Sequence, residues 1–74
     1  MKTATQLAKR KKLTPLKRAR LAFGLGQAEV AQQVEIDMAH ISLLENGLRS
    51  PSLGIAQTLA QFYETTVDEL FPVR

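Results

Sequence analysis

The chain has 74 residues and no cysteine, so we expect a single domain without disulfides or thiolate metal sites. This excludes the disulfide-stapled class of small secreted proteins. No apolar run approaches the roughly 18 residues of a membrane span and no signal peptide is visible, so we expect a cytoplasmic location and no membrane partner.

The formal net charge of +3 conceals an uneven distribution of charge along the chain. Eight of the ten basic residues lie in residues 1–20, which contain no acidic residue. The rest of the chain holds two basic and seven acidic residues, a net charge of −5. The basic block favours a polyanionic partner, although a solubilising or disordered tail explains such a block equally well on its own.

Residues 1–13 are predicted to form a basic N-terminal arm, followed by one folded domain over residues 14–74. The densest part of the arm is an uninterrupted cationic run, Lys9, Arg10, Lys11 and Lys12. Such a run favours a mobile segment, and the apolar residues scattered around it leave a weak helix as the alternative.

The folded domain carries start and stop residues for several helices. Thr14 and Pro15 are typical of an N-cap and the first helical position, and Gly24 ends this first helix after about residue 23. The second helix is predicted over residues 27–34, with Gly26 as a permissive N-cap.

Three further helices follow in the same way. The third is predicted over residues 38–46 and is ended by Gly47, the glycine expected just past a C-cap. Ser52 is the predicted N-cap of a fourth helix that runs to about residue 63. Thr66 and Glu69 have the capping-box spacing and begin a short fifth helix through residue 71. With no strand-period segment, the expected fold is all-α, a compact five-helix bundle.

One apolar cluster drawn from all five helices forms the predicted core. Its members are Leu16, Ala19, Leu25, Val30, Ala31, Val34, Ile36, Ile41, Leu44, Leu53, Ala56, Leu59, Ala60, Tyr63, Val67 and Leu70.

Residues 27–46 form the most informative unit of the chain. Val30 and Val34 have helical i, i+4 spacing in the first half of the unit, and Ile41 and Leu44 lie three apart in the second half. Two short helices joined by a sharp corner account for this pattern. The unit is therefore predicted to be a helix-turn-helix, whose second helix is suited to enter a DNA major groove.

Over about three quarters of its length the chain resembles the XRE family, the Cro and lambda-type repressor class of DNA-binding domains. The matching residues are Leu16, Arg20, Gly24, Leu25, Gln27, Glu29, Ala31, Ile41, Glu45, Asn46, Gly47, Arg49, Pro51, Ser52, Leu53, Leu59, Ala60, Val67, Asp68, Glu69, Leu70 and Phe71. The resemblance implies a five-helix bundle that binds operator DNA, usually as a dimer, and a role as a transcriptional repressor. The implied partners are double-stranded DNA and a second copy of the chain, with no cofactor.

The resemblance assigns base contacts to the exposed face of the third helix. The corresponding residues are Asp37, Met38, Ala39, Ser42 and Leu43. None of them offers a bidentate pairing, but Asp37 can accept a hydrogen bond from cytosine, and the apolar side chains can touch thymine methyl groups. We therefore expect modest direct readout, supplemented by DNA shape or by the arm. The alternatives are that Asp37 is a plain N-cap and that Met38 and Leu43 face a protein partner.

The resemblance also assigns contacts to the DNA phosphates. These residues are Gln27, Asn46, Arg49, Ser52 and Arg20. Gln27 opens the second helix, where free N–H groups and the positive end of the helix dipole favour an anion. Arg20 and Glu45 match a family pair, for which orientation of Arg20 toward a phosphate and a structural salt bridge both stay open.

Two residues depart from the family pattern. The turn after the second helix and the end of the fourth helix commonly carry glycine, whereas this chain has Glu35 and Glu64. If the backbone there is left-handed, each glutamate costs about 1 kcal/mol.

The sequence ends soon after the fifth helix, so we expect any dimer to use the bundle itself and expect no small-molecule ligand. The predicted interface residues are Phe62, Phe71, Pro72 and Val73, with ordinary core or surface positions as the alternative. A rival function is an antitoxin-like protein-interaction module that uses the apolar third helix and the C-terminal helix. The scattered acids and the single His40 predict neither a catalytic site nor a metal site, so we do not expect an enzyme.

Overall fold

The computed structural model describes residues 13–72 as five α-helices. They are α1 (Pro15–Ala22), α2 (Gln27–Val34), α3 (Met38–Glu45), α4 (Leu53–Phe62) and α5 (Val67–Leu70). Residues 13–72 contain no strand, and the predicted all-α five-helix fold is confirmed. Four helices end one residue earlier than predicted because the last predicted residue is the C-cap. The cationic run of the arm and Val73 lie outside the described residues.

Most of the predicted N-caps form as expected. The Oγ1 atoms of Thr14 and Thr66 and the Oγ atom of Ser52 each accept a hydrogen bond from the backbone N–H three residues further on, at 3.2, 3.1 and 3.2 Å. At the start of α2, the N–H of Gly26 donates to Oε1 of Glu29 at 2.7 Å. Each bond satisfies a backbone or side-chain group that the helix itself leaves without a partner, which explains why these helices start where they do.

Asp37 lies at the N-cap position of α3 but makes no capping hydrogen bond with its side chain. The prediction that its carboxylate caps this helix is therefore wrong. The N–H of His40, which a capping carboxylate normally binds, donates instead to the backbone carbonyl of Asp37 at 3.0 Å. The exposed carboxylate of Asp37 consequently has no role in starting the helix.

A single buried cluster draws on all five helices. Its members are Leu16, Val30, Ile41, Leu44, Leu59, Ala60, Tyr63 and Leu70, with Ala56 also buried. Most of the remaining predicted core residues lie half-buried against this cluster, namely Ala19, Leu25, Ala31, Val34, Ile36 and Val67. One hydrophobic core therefore holds the short helices in place, as predicted.

Leu53 was predicted to be in the core, but its side chain is 68% exposed and the prediction is wrong. Leu53 is the first residue of α4. Helical Cα–Cβ bonds tilt toward the N-terminus, so the side chain of a first residue points back past the end of its own helix. The buried stripe of α4 begins at Ala56 instead.

Four of the turns that follow helices contain a residue with a left-handed backbone conformation. Gly24 and Gly47 have φ angles of +71° and +70°, and Glu35 and Glu64 have φ angles of +58° and +56°. Glu35 is the C-cap of α2 and begins the corner to α3. The left-handed backbone considered from the sequence is present at both Glu35 and Glu64. A side chain in this region costs about 1 kcal/mol that glycine avoids. No helix among residues 13–72 has the length and apolarity that a transmembrane segment requires.

Replacement of Glu35 by glycine should stabilise the domain. Glu35 is exposed, so the variant loses little packing while it relieves the left-handed strain. We expect a gain of about 0.5–1 kcal/mol and a rise in Tm of about 2–8 °C in thermal melts followed by circular dichroism. Gln33→Gly is the matched control, because the same change within α2 should lower stability by about 1 kcal/mol. A fall in Tm for Glu35→Gly would contradict the assignment of strain to this residue.

Candidate nucleic-acid interface

Helices α2 and α3 form the helix-turn-helix unit, and no other pair among the five helices of residues 13–72 packs so extensively. The corner between them spans residues 35–37. On α3, Ile41, Leu44 and Glu45 are buried. This burial orients the helix and leaves its opposite face open to solvent.

The residues predicted to contact bases lie together on or beside this open face. Asp37, Met38, Ala39 and Leu43 are exposed, whereas Ser42 is half-buried and its Oγ atom accepts a 3.5 Å hydrogen bond from the side-chain amide of Asn46. Met38 and Leu43 are 48% and 37% exposed, so two large apolar side chains lie on the same face of α3 as Ala39. The open face of α3 is therefore largely apolar.

Arg20 and Glu45 form a buried bidentate ion pair. Nε of Arg20 donates to Oε2 of Glu45 at 2.7 Å and Nη2 donates to Oε1 at 3.1 Å. Nη1 donates to the carbonyl of Leu25 at 2.9 Å. The two side chains are 9% and 0% exposed. The hydrogen bond to Glu45 raises the pKa of Arg20 despite the opposing effect of burial, so the guanidinium stays charged and its charge is compensated within the protein.

This geometry corresponds to the structural salt bridge, one of the two roles that the sequence left open for Arg20. All three guanidinium nitrogens already donate to protein oxygens, and the side chain is almost inaccessible. Arg20 is consequently the weakest of the predicted phosphate contacts.

Glu45 also connects to the first residues of the domain and of α2. Its Oε1 atom accepts a hydrogen bond from Nε2 of Gln27 at 3.0 Å, and its backbone carbonyl accepts one from Oγ1 of Thr14 at 2.6 Å. The starts of α1 and α2 are thereby tied to the end of α3. No pattern in the sequence predicts the Thr14 contact, which joins residues 31 positions apart.

Gln27 was predicted as a phosphate contact, and its side-chain amide is bound to Glu45. This bond uses one of the two Nε2 protons and leaves the second free to donate to an anion. The backbone N–H groups of the first turn of α2, which have no partner within the helix, can donate to the same anion. The exposed carboxylate of Glu29 lies in the same turn and weakens the attraction for a phosphate.

The remaining predicted phosphate contacts follow α3 in the chain. Asn46, Arg49 and Ser52 are all exposed, and within residues 13–72 Arg49 takes part in no ion pair. The Ser52 hydroxyl also caps α4, as described above. These residues and the start of α2 belong to segments on either side of α3 in the chain. Glu45 holds the start of α2 against the end of α3, and the other segment directly follows that helix.

The predicted dimer residues are mostly committed to the domain itself. Phe62 and Phe71 are half-buried against the core, and the Phe62 ring packs edge-on to that of Tyr63 with centroids 5.0 Å apart. Pro72 is exposed. Within the described part of the chain, the most exposed large apolar residues are Leu48 (73%) and Leu53 (68%), neither of which was predicted to lie at the surface.

Burial raises the pKa of Tyr63 to about 12, and the nearby Glu45 carboxylate adds to this effect, while Arg20 opposes it. The folded-state pKa lies above the unfolded value of about 10. The resulting contribution to stability is therefore fully present below pH 10 and is lost as the pH rises toward about 12. At neutral pH the hydroxyl is uncharged.

Comparison with known proteins agrees with this architecture. A family model described as helix-turn-helix matches residues 16–70. The chain belongs to this family, in its XRE-type branch, whose members are DNA-binding domains of transcription regulators.

Two relatives from Archaeoglobus fulgidus carry the description "uncharacterized HTH-type transcriptional regulator". Each is 31% identical to this chain over 58 residues, which is 78% of this chain and 83% or 82% of the relative. No solved structure matches the chain closely enough to count as similar.

Replacement of Glu45 by glutamine should be among the most destabilising single changes in the domain. The variant keeps the shape of the side chain but leaves the Arg20 guanidinium buried without a counter-charge, at a cost of about 3–5 kcal/mol. We expect this loss in urea unfolding at neutral pH. Glu64→Gln, which neutralises an exposed carboxylate, is the matched control and should shift the midpoint little.

A second variant separates the uncompensated charge from other effects of the change at Glu45. In Arg20→Met combined with Glu45→Gln no buried charge remains, so part of the lost stability should return. A midpoint for Glu45→Gln equal to that of the wild type would show that the ion pair is not essential to the fold.

Proposed function

We propose that this protein is a transcriptional repressor that binds operator DNA as a homodimer, with α3 in the major groove of double-stranded DNA. The observation that carries the proposal is the shape of the helix-turn-helix unit, in which α3 buries one face and offers the other to solvent. Repression requires only that the bound protein block access to the operator, so a DNA-binding bundle suffices for it.

The geometry around α3 supports two sets of phosphate contacts, one before and one after this helix in the chain, that would hold it in the groove. The start of α2 offers main-chain N–H groups, and the segment after α3 offers Asn46, Arg49 and Ser52. Arg20 is left out of this set because its charge is compensated by Glu45. Phosphate contacts fix the position of the protein on the duplex without selecting a sequence.

The balance of charge supports a role in DNA binding for the basic arm. Residues 13–72 contain four basic and seven acidic residues, and one of the four basic residues is paired internally. A net negative bundle is poorly suited to hold a polyanion by itself. We infer that Lys9, Arg10, Lys11 and Lys12 supply most of the counterion release that drives association with DNA.

The exposed leucines support an interface between two copies of the chain. Leu48 and Leu53 flank Arg49 and Ser52, so a partner on this surface would have to lie alongside bound DNA. A second copy on the neighbouring half-site satisfies that requirement. Two exposed leucines supply little of the roughly 800 Å² per partner of a standard interface, so we expect dimerisation to be weak in solution and stronger on the operator.

The rival function, an antitoxin-like protein-interaction module, draws support from the apolar side chains of Met38 and Leu43 on α3. Salt dependence distinguishes the two functions. Binding through phosphates weakens steeply as salt is added, whereas an apolar protein interface responds little.

The salt dependence of DNA binding tests the proposed function. For a duplex selected by the full chain from a random library, Arg49→Ala should lower the slope of log K against log salt by about 1. Arg49→Lys is the matched control and should keep the slope, because it keeps the charge. Serine at all four positions of the cationic run should lower the slope by up to about 4.

Failure of the full chain to bind any duplex more tightly at low salt would contradict the proposed function. A change of base preference with an unchanged slope in Arg49→Ala would show that Arg49 contacts a base instead of a phosphate.

The dimer surface is tested by sedimentation equilibrium with and without the selected duplex. Leu48→Ser and Leu53→Ser should each lower the fraction of dimer, because each places a hydroxyl in an apolar interface. Leu21→Ser is the matched control, since Leu21 is 49% exposed on α1, far from both residues in the chain. Undiminished dimer in both Leu48→Ser and Leu53→Ser would move the interface to Phe71 and Pro72.

A further inference from the structure

We propose that α3 recognises its operator through the 5-methyl groups of pyrimidines, chiefly thymine, and not through bidentate hydrogen bonds to purines. This inference rests on the proposed function and names the chemical feature of the DNA that the same surface reads.

The first observation is the composition of α3. Residues 38–45 contain no arginine, lysine, asparagine or glutamine, the side chains that pair with guanine or adenine through two hydrogen bonds. The Oγ atom of Ser42 accepts an exposed 3.5 Å hydrogen bond from Asn46, and its single hydroxyl proton can offer a base only one hydrogen bond. The open face therefore lacks a strong means of reading a purine edge.

The second observation is what that face does expose. Met38 and Leu43 present large apolar side chains to solvent, at 48% and 37% exposure, with Ala39 exposed beside Met38. The thymine methyl group is the apolar group that the base edges offer in the major groove. Burial of these side chains against methyl groups removes apolar surface from water on both sides of the interface.

The third observation concerns Asp37. Its carboxylate takes no part in capping α3 and is exposed next to Met38. A carboxylate accepts hydrogen bonds only, so it favours the amino group of cytosine and is repelled by the oxygens of guanine and thymine. Asp37 and the apolar side chains together favour a half-site in which one strand carries pyrimidines.

The position of the face argues for DNA in preference to a protein partner. In the chain, the apolar face lies between the start of α2 and the segment with Asn46 and Arg49, and Glu45 holds the start of α2 against the end of α3. A duplex can reach both places at once, because its phosphates border the groove that α3 would occupy.

The expected size of the effect follows from one methyl group. Burial of a methyl or methylene group is worth enough to change an equilibrium constant about fourfold. The 5-methyl group of 5-methylcytosine occupies the same place in the major groove as that of thymine. When a contacted thymine is replaced by 5-methylcytosine, the duplex should therefore keep part of the affinity that it loses with unmethylated cytosine.

The test uses the full chain and a duplex that it selects from a random library. The duplex is resynthesised with deoxyuridine in place of thymidine, one position at a time, which removes the methyl group and keeps the base pairing. At contacted positions the Kd should rise about fourfold. Further duplexes carry 5-methylcytosine or cytosine at those positions.

Variants of the protein assign the effect to α3. Leu43→Ala and Met38→Ala should bind the thymine duplex more weakly and lose their sensitivity to deoxyuridine. Leu21→Ala, a change at an exposed leucine of α1, should keep the full sensitivity. Circular dichroism melts verify that each variant is folded.

The outcomes separate the inference from the proposed function. Tight, salt-dependent binding that is equal for the thymine and deoxyuridine duplexes would overturn methyl recognition and leave the DNA-binding function intact. Failure of the full chain to select any duplex from the library would overturn both the inference and the proposed function. Sensitivity to deoxyuridine that persists in Leu43→Ala and Met38→Ala would place methyl recognition outside α3 and overturn the inference.

Discussion

The buried carboxylate of Glu45 is the constraint on which the rest of the helix-turn-helix depends. A charge that is removed from water must be compensated in the interior, and here the Arg20 guanidinium and the Gln27 amide supply the compensation. Because these partners lie on α1 and α2, the requirement of one side chain fixes how three helices meet. Thr14, the N-cap of α1, also donates a hydrogen bond to the backbone carbonyl of Glu45, so the start of α1 is held at the same place.

Such an arrangement suits a domain with few residues available for a core. Helices of eight residues are too short to be stable alone, so their positions depend on tertiary contacts. The hydrogen bonds around Glu45 have fixed directions, so they define how the helix ends are placed. Apolar packing is not directional and defines this placement less well. The strained backbone at Glu35 is tolerated because α2 and α3, on either side of it, are held by the hydrogen bonds of Glu45 and by the core.

The features that were predictable from the sequence are local ones. The bounds of the helices follow from caps such as Thr14 and from periodic apolar residues, and these depend on neighbours three or four positions away. Leu53 was misassigned because its spacing fits the buried stripe, while its place at the helix start turns it outward. The capping role of Asp37 failed because a backbone carbonyl took the same N–H. The pair Arg20–Glu45 was anticipated only through the family resemblance, and the contacts of Glu45 with Gln27 and Thr14 were not, because sequence spacing does not reveal contacts between residues distant in the chain.

The separation of charge between the arm and the bundle has a consequence for how such a regulator can change. On the proposed function, general affinity for DNA would come mainly from the basic segment of residues 1–12, whereas sequence preference would come from α3, which carries few charges. The two properties can therefore vary independently over evolution. Gain or loss of a lysine in the arm would adjust how much of the protein is bound across a genome, while substitutions on α3 would redirect it to other genes.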